Sequence, residues 1–231
     1  MKLKKVIALA LVSVMALSLV GCGAKKTEKK DTDKKVATSG TVSETTPMVV
    51  NKDKKEVQMY TTVNGTYFTE DTRHGIVYKG GSNGDKSVLK GFADEKEFYQ
   101  ALVDIGAKPG NNLTAADMAV KNEKDGKSVE GDKLDVTCTW EGQSTPVPFA
   151  DIITCTAKER PLDIRFGGNL ASAKKNNTGC VLCLDSCATG ITSNAAWPTG
   201  STMGANVVQF HGNKDVLPKD GTPVIVTFKL A

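Results

Sequence analysis

The sequence predicts an α+β domain, mainly antiparallel β-sheet with one well-defined packed helix, preceded by a disordered tether. Three observations carry that prediction. Short β-branched and aromatic runs recur from residue 56 to the C-terminus, separated by Gly, Asn and Pro. One segment shows the apolar repeat of a helix together with a helix start signal. Residues 22–55 are Lys, Thr, Ser, Asp and Glu with scattered Val and no aromatic residue, too little apolar surface to offset the entropy of ordering them. A chain of 231 residues has room for one ordinary domain, and 39% hydrophobic content is modest, so a sizeable core must leave part of the chain outside it.

The N-terminus reads as a processing signal. Lys2, Lys4 and Lys5 precede an uncharged, mostly apolar run over residues 6–20. As a helix it would reach about 22 Å against a hydrocarbon core of about 30 Å, too short for a comfortable span. The run ends in Leu19-Val20-Gly21-Cys22, which resembles a bacterial lipobox. On that reading residues 1–21 are a lipoprotein signal peptide and Cys22 takes a thioether-linked diacylglycerol. The alternative is an ordinary signal peptide with a chance cysteine at its cleavage point. Two or more acyl chains hold stably, so the expected location is the extracytoplasmic face of a bacterial membrane, lipid-anchored, with no spanning helix. Residues 22–55 are then a tether. Its Lys25-Lys26, Lys29-Lys30 and Lys34-Lys35 pairs lie near the lipid, diluted by Glu28, Asp31 and Asp33.

Charge excludes one class of partner. The chain holds 30 Lys+Arg and 26 Asp+Glu, of which twelve basic and five acidic residues precede residue 56. Residues 56–231 therefore carry 18 basic against 21 acidic residues, about −3, so no nucleic-acid face is expected.

Within this single predicted domain, residues 56–60 and 66–68 flank Asn64-Gly65, a pair suited to a tight hairpin turn. Residues 75–78 and 87–90 suggest a second hairpin across Gly80-Gly81-Ser82-Asn83-Gly84. That loop lacks both a following helix and a P-loop Lys-Ser/Thr, so turn chemistry explains it better than phosphate binding. Asp94 with Glu97 three residues on starts the helix, and Phe98, Ala101, Leu102 and Ile105 form its apolar stripe until Gly106 and Pro109 end it. Residues 134–140 and 147–156 read as a further strand pair, followed by short runs at 162–166, 179–184, 207–210 and 224–230. Internal repeats and long helices are absent from the pattern.

Three segments carry a family resemblance. His74-Gly-Ile-Val-Tyr-Lys-Gly-Gly81, the stretch from Phe98 to Asn112 containing Ile105-Gly-Ala-Lys-Pro-Gly110, and Gly179-Cys-Val-Leu-Cys-Leu-Asp-Ser-Cys187 resemble, in this order and spacing, the YdjY-domain family of bacterial proteins. The similarity runs over about residues 73–230. It implies the fold before any chemistry, because some members carry a ferredoxin-like, iron-sulfur designation and others with the Gly-Ala-Lys-Pro-Gly segment lack the cysteine triplet.

The cysteines are the constellation that suggests a mechanism. Six occur; with Cys22 assigned to lipid, five remain. Cys180, Cys183 and Cys187 stand at C-x2-C-x3-C, a spacing that presents three thiolates to one metal or an iron-sulfur cluster. A bacterial ferredoxin run has one more cysteine and a proline where this chain has Ala188. A fourth ligand would come from Cys138, Cys155, His211 or an exogenous group. A regular strand over 179–184 would send Cys180 and Cys183 to opposite faces, so ligation calls for a turn there. Three fates stay open for the triplet: a thiolate metal site, a disulfide or exchangeable thiol pair, or simple packing of small buried hydrophobes. Cys138 and Cys155 lie in Thr-Cys-Thr triplets equidistant from the midpoint of their expected strand pair, which makes them a disulfide candidate.

Hydrolytic chemistry finds little footing. The two histidines, His74 and His211, belong to no H-E-x-x-H motif, and no G-x-S-x-G elbow occurs. Both read as surface or structural histidines, and Trp140 and Trp197 as core or rim. Two functions remain: a lipid-anchored redox or metal module with an unidentified protein or redox partner, or a non-catalytic envelope lipoprotein that binds a partner with cysteines that pack or form a disulfide.

Overall fold

Eight-residue strands with strict alternation anchor the architecture. Residues 56–63 run part-buried, buried, in turn, and residues 223–230 do nearly the same, which is the period of a sheet with one face on a core. The structure is a computed structural model that describes residues 37–38, 40–158 and 160–231. In chain order the strands are β1 (Met48–Asn51), β2 (Glu56–Val63), β3 (His74–Tyr78), β4 (Leu89–Gly91), β5 (Leu134–Thr139), β6 (Val147–Pro148), β7 (Ile153–Cys155), β8 (Ile164–Phe166), β9 (Cys180–Cys183), β10 (Thr192–Asn194), β11 (Phe210–Gly212) and β12 (Pro223–Leu230). The helices are α1 (Glu95–Asp104) and α2 (Leu170–Asn176).

Ten strands form one mixed sheet in the order β6-β5-β12-β2-β4-β3-β9-β10-β8, with β1 paired to β2 beside this path. Antiparallel pairs predominate; β3 with β4 and β9 with β10 are parallel. The sheet curls back on itself, since Lys133, just before β5, bridges to Arg165 of β8. β7 and β11 make a separate two-stranded sheet. The α+β prediction, mainly antiparallel β, is the observed class.

α1 forms for the reasons its sequence shows. The Asp94 carboxylate accepts from the Lys96 amide at 2.7 Å, capping the first turn, and Gly106 at φ +91° terminates it. Its buried stripe sets Phe98 against Phe228 of β12 at 4.7 Å between ring centres and Tyr99 against Phe166 of β8 at 5.2 Å. Each such ring is worth roughly 1.5–3 kcal/mol of apolar burial, so Phe98→Ala would open the centre of the core. Among the described residues no helix is long and apolar enough to cross a membrane.

Several local expectations change. Asn64-Gly65 is no hairpin turn: Asn64 has φ −112°, β2 runs on to Val63, and a 3-10 turn, Gly65–Phe68, follows. The Gly65 amide donates to Asp220 at 2.8 Å, which commits the pair to a contact across the fold. β3 and β4 do pair, but in parallel. Their linking loop binds the start of β9 instead of closing a hairpin, with Ser82 and Asn83 amides donating to the Asn177 and Thr178 carbonyls. The strand pair expected over 134–156 is cut short, because the 3-10 turn Phe149–Ile152 carries the chain from β6 away to β7 in the other sheet. Helix α2 was not expected; it lies between Asn169 and Asn177, both left-handed.

The tether ends earlier than residue 55. Met48, Val49 and Val50 are buried because β1 pairs with β2 from Met48–Met59 to Asn51–Glu56, so the folded part already includes it. The expected signal peptide, Cys22 and the first part of the expected tether lie outside the described residues.

Candidate thiol-cluster site

β9 is where local geometry builds the site. Cys180 and Cys183 are three residues apart, and a regular strand would put them on opposite faces. The register against β3 shifts, however: Ile76 faces Leu182 and Val77 faces Cys180, so Val181 is an extra residue on β9. That bulge sends Val181 and Leu182 together into the main core and leaves Cys180 and Cys183 on the other side with Val77 and Cys187. The expected turn is therefore a bulged strand, and it achieves the convergence a turn was needed for.

His74 completes the group. It stands opposite Cys183 in the β3 register, and its Nδ1 lies 3.7 Å from the Cys180 sulfur. Single ligand atoms of His74, Cys180 and Cys183 all lie within 4.8 Å of one another. For comparison, thiolates at about 2.3 Å from one tetrahedral zinc are about 3.8 Å apart, and a thiolate and an imidazole nitrogen slightly less. Cys187 adjoins them from the following loop, its sulfur 3.2 Å from the Thr189 hydroxyl. That loop is rigidly held. The Asn169 side-chain amide donates to the Cys187 and Gly190 carbonyls at 2.9 and 3.1 Å, and the Asn194 amide donates to the Leu184 carbonyl at 3.1 Å.

A buried ion pair borders the thiols. Arg73 donates through Nε to Asp185 at 2.9 Å, and Asp185, fully buried, also accepts from the Thr202 hydroxyl at 2.6 Å. Burial works against the guanidinium charge, but Asp185 together with the Cys187 and Cys183 sulfurs more than offsets it, so the Arg73 pKa is raised.

The three thiols do not titrate alike. Cys183 has its pKa raised well above the ordinary value by its interaction with the Cys180 and Cys187 sulfurs and by burial. Cys180 is pulled down by the Cys183 bond, then by His74, against burial. Cys187 is pulled down to about 6 by the Cys183 bond and, against burial, by the Arg73 charge. One buried polar atom nearby lacks a hydrogen bond. Ser193 Oγ borders the same point as the Cys183 sulfur, since a Cβ on Gly190 would sit 3.0 Å from one and 2.8 Å from the other.

The structure brings together Cys180, Cys183 and Cys187, as the spacing suggests, and adds His74. None of the suggested fourth ligands joins them. Cys138 is in the main core on β5, Cys155 is on β7, and His211 on β11 pairs with Asp71 at 2.8 Å. Nor do Cys138 and Cys155 face each other: Cys138 is opposite Val147 and Val226, and Cys155 is opposite Phe210 in the second sheet. Sequence reading passed over His74 as a ligand. No local signal marked it, because Val181-Leu182 fits a strand buried on both faces as well as it fits a bulge.

Two cavities open near this end. A larger cleft of about 690 Å³ is lined by Cys155, Arg160, Trp197 and Phe210 and holds none of the clustered thiols. The second, about 480 Å³, has His74, Cys187, Arg73 and Lys86 among its walls.

Fold and site together define a curled mixed-sheet domain with a thiol-imidazole cluster at a bulged strand. The chain belongs to the YdjY-domain family, whose profile matches residues 48–229. The protein called "Uncharacterized protein YdjY" of Escherichia coli (strain K12) is 41% identical over 228 residues, covering 99% of this chain and 95% of that one. No solved structure matches.

Proposed function

We propose that this is a lipid-anchored extracytoplasmic module that holds one thiophilic metal ion through Cys180, Cys183, Cys187 and His74. The observation that carries it is the bulge at Val181, which turns two cysteines of opposite parity onto one face beside a histidine. The closeness of the His74, Cys180 and Cys183 ligand atoms favours a single ion over an iron-sulfur cluster, because thiolates on different irons point outward from separate metals and stand further apart, and Cys187 would swing in from the adjoining loop as the fourth ligand. Three thiolates and a divalent ion leave one negative charge, which Arg73 faces. The membrane anchor rests on the lipobox-like Leu19–Cys22 stretch.

The test is metal analysis of the full chain purified in detergent without oxygen, followed by cobalt titration. One cobalt per chain with intense thiolate charge-transfer absorption, lost in Cys183→Ser, is expected. Stoichiometric acid-labile sulfide would replace the single ion with a cluster. A folded chain that takes up no metal would leave the cysteines as packing residues and favour the envelope-binding reading.

A further inference from the structure

The metal-binding side chains at this end of the fold are graded by depth. Cys180, Cys183 and Cys187 are all closed off from solvent, none more than 2% exposed. His74, beside them, is part-buried and belongs to the wall of the 480 Å³ cavity. Met203 shares that wall and is 73% exposed, the most exposed large apolar side chain among the described residues. An ion arriving from solvent therefore meets the thioether first, the imidazole next and the thiols last.

Met203 is held at that mouth. Arg73 Nη1 donates to its sulfur at 3.1 Å, beside His74 in the chain, and the sulfur keeps a second lone pair. That contact accounts for its position, but an exposed thioether forgoes the stabilisation of burial. Another thioether, Met118, packs against the thiol cluster, its sulfur accepting from the Ala188 amide at 3.3 Å. The nearby carboxylates are committed elsewhere. Asp185 is bound to Arg73 and Thr202, and Asp71, the one carboxylate on the cavity wall among the described residues, is bound to His211.

Thiolates, thioethers and an imidazole form a soft donor set. Thioether sulfur in particular favours copper(I) over zinc, whose protein ligands are Cys, His, Asp and Glu. Copper(I) also accepts fewer donors than tetrahedral zinc, and the ligand atoms of His74, Cys180 and Cys183 already converge as they stand.

We propose that the ion this site takes is copper(I), and that Met203 is its capture ligand, passing it to His74 and then to the thiols. The inference rests on the metal site proposed above and names its ion. In the transfer, the Met203 sulfur bonds to copper as a donor of the incoming complex leaves. The His74 nitrogen and the cysteine sulfurs then bond to it as the thioether bond breaks and the remaining donors depart. Every thiol that arrives protonated gives its proton to solvent, copper stays copper(I), and no electron moves.

The experiment uses the metal-free full chain in detergent without oxygen and two metal sources, copper(I) held by bicinchoninate and aquated cobalt(II), with uptake followed by stopped flow. Copper(I) added to the cobalt-loaded chain should bleach the cobalt-thiolate absorption completely. In Met203→Leu, copper uptake should slow roughly tenfold, the scale of one weak metal bond lost, at chain concentrations over which the rate still rises. Cobalt uptake and the final copper stoichiometry should match the parent chain, because the exposed side chain supports no core packing. Equal copper rates in the two chains, or equal slowing for both metals, would overturn the capture role. Cobalt that copper(I) cannot displace would overturn the copper assignment while leaving the metal site standing. A folded chain that takes up neither metal would remove the site itself, and the inference with it.

Discussion

Cys138 and Cys183 are both fully buried, on strands of the same sheet, and their thiols meet opposite surroundings. Cys138 packs among valines of β6 and β12, and burial alone pushes its thiol far above the ordinary range. Cys183 has a sulfur on each side, an imidazole opposite in register and a guanidinium near. The difference teaches that depth does not decide what a cysteine does. A buried thiol in apolar company is a small hydrophobe, and a buried thiol among donors and charge becomes part of a site.

The largest separation between the two environments should appear in reactivity. On the reduced, metal-stripped chain, a thiol at about 6 is about nine-tenths thiolate at pH 7, so a small alkylating reagent that enters the cavity Cys187 lines should label it well before Cys138. Cys138 should stay unlabelled until the chain unfolds, a ratio on the order of a hundredfold or more by peptide mass spectrometry. Lowering the pH to 5 should slow Cys187 about tenfold, because its thiolate is lost as pH falls through its folded value. The linkage has the same sign. The pKa is depressed on folding, so its contribution to metal-free stability is complete above the ordinary thiol value of about 8.5 and disappears as pH drops through about 6. Cys187→Ala should flatten that slope. Equal labelling of Cys138 and Cys187 in the folded chain would erase the comparison.

Much of this contrast was legible in the sequence, and the missing part has physical causes. The C-x2-C-x3-C spacing singled out the three cysteines that the fold packs together, and the Asp94 start with its apolar stripe gave α1 nearly to the residue. The β-branched and aromatic residues of 224–230 gave β12. Partners set by long-range register were not readable. His74 meets β9 through pairing more than a hundred residues away, and Cys155 leaves Cys138 because a 3-10 turn intervenes. Turn chemistry also misled, since Asn64-Gly65 and the Gly80–Gly84 stretch fit hairpins locally but are held by Asp220 and by the start of β9.

Charge is the second difference between the two environments, and Arg73→Met breaks it. The substitution leaves the fully buried Asp185 carboxylate without its cation, a loss of about 3–5 kcal/mol by denaturant unfolding. Asp185→Asn in the same chain should recover part of that loss, since a neutral amide keeps a hydrogen bond to Thr202 without a buried charge. A single-variant cost below about 1 kcal/mol would mean that solvent reaches the pair and that the cluster side of β9 is wetter than described.

Packing tolerance sharpens the contrast further. A methyl on Gly190 would sit 2.8 Å from the Cys183 sulfur and 3.0 Å from both Ser193 Oγ and the Thr192 carbonyl. The carbonyl cannot yield as a side chain would, so Gly190→Ala should cost about 1–3 kcal/mol and weaken metal uptake by displacing Cys183. Gly142 is the matched control for crowding, because its added methyl meets nothing within 4 Å, although its φ of +89° brings strain of its own. Gly142→Ala should therefore lower stability without touching metal affinity. Loss of metal affinity in both would mean that global weakening, not contact with Cys183, is being read.

The smallest effect belongs to Cys138. Its sulfur contributes apolar volume between Val147 and Val226, so Cys138→Ala should cost about 1 kcal/mol by denaturant unfolding. Cys138→Ser should cost more, up to about 3 kcal/mol, because the hydroxyl enters an apolar site without an assured partner. Both variants should take up metal with the stoichiometry of the parent chain. Dialysis against cobalt reads this directly. A drop to zero in Cys138→Ala, with the fold intact, would make Cys138 a ligand, and the division between a packing cysteine and a cluster of working ones would fall.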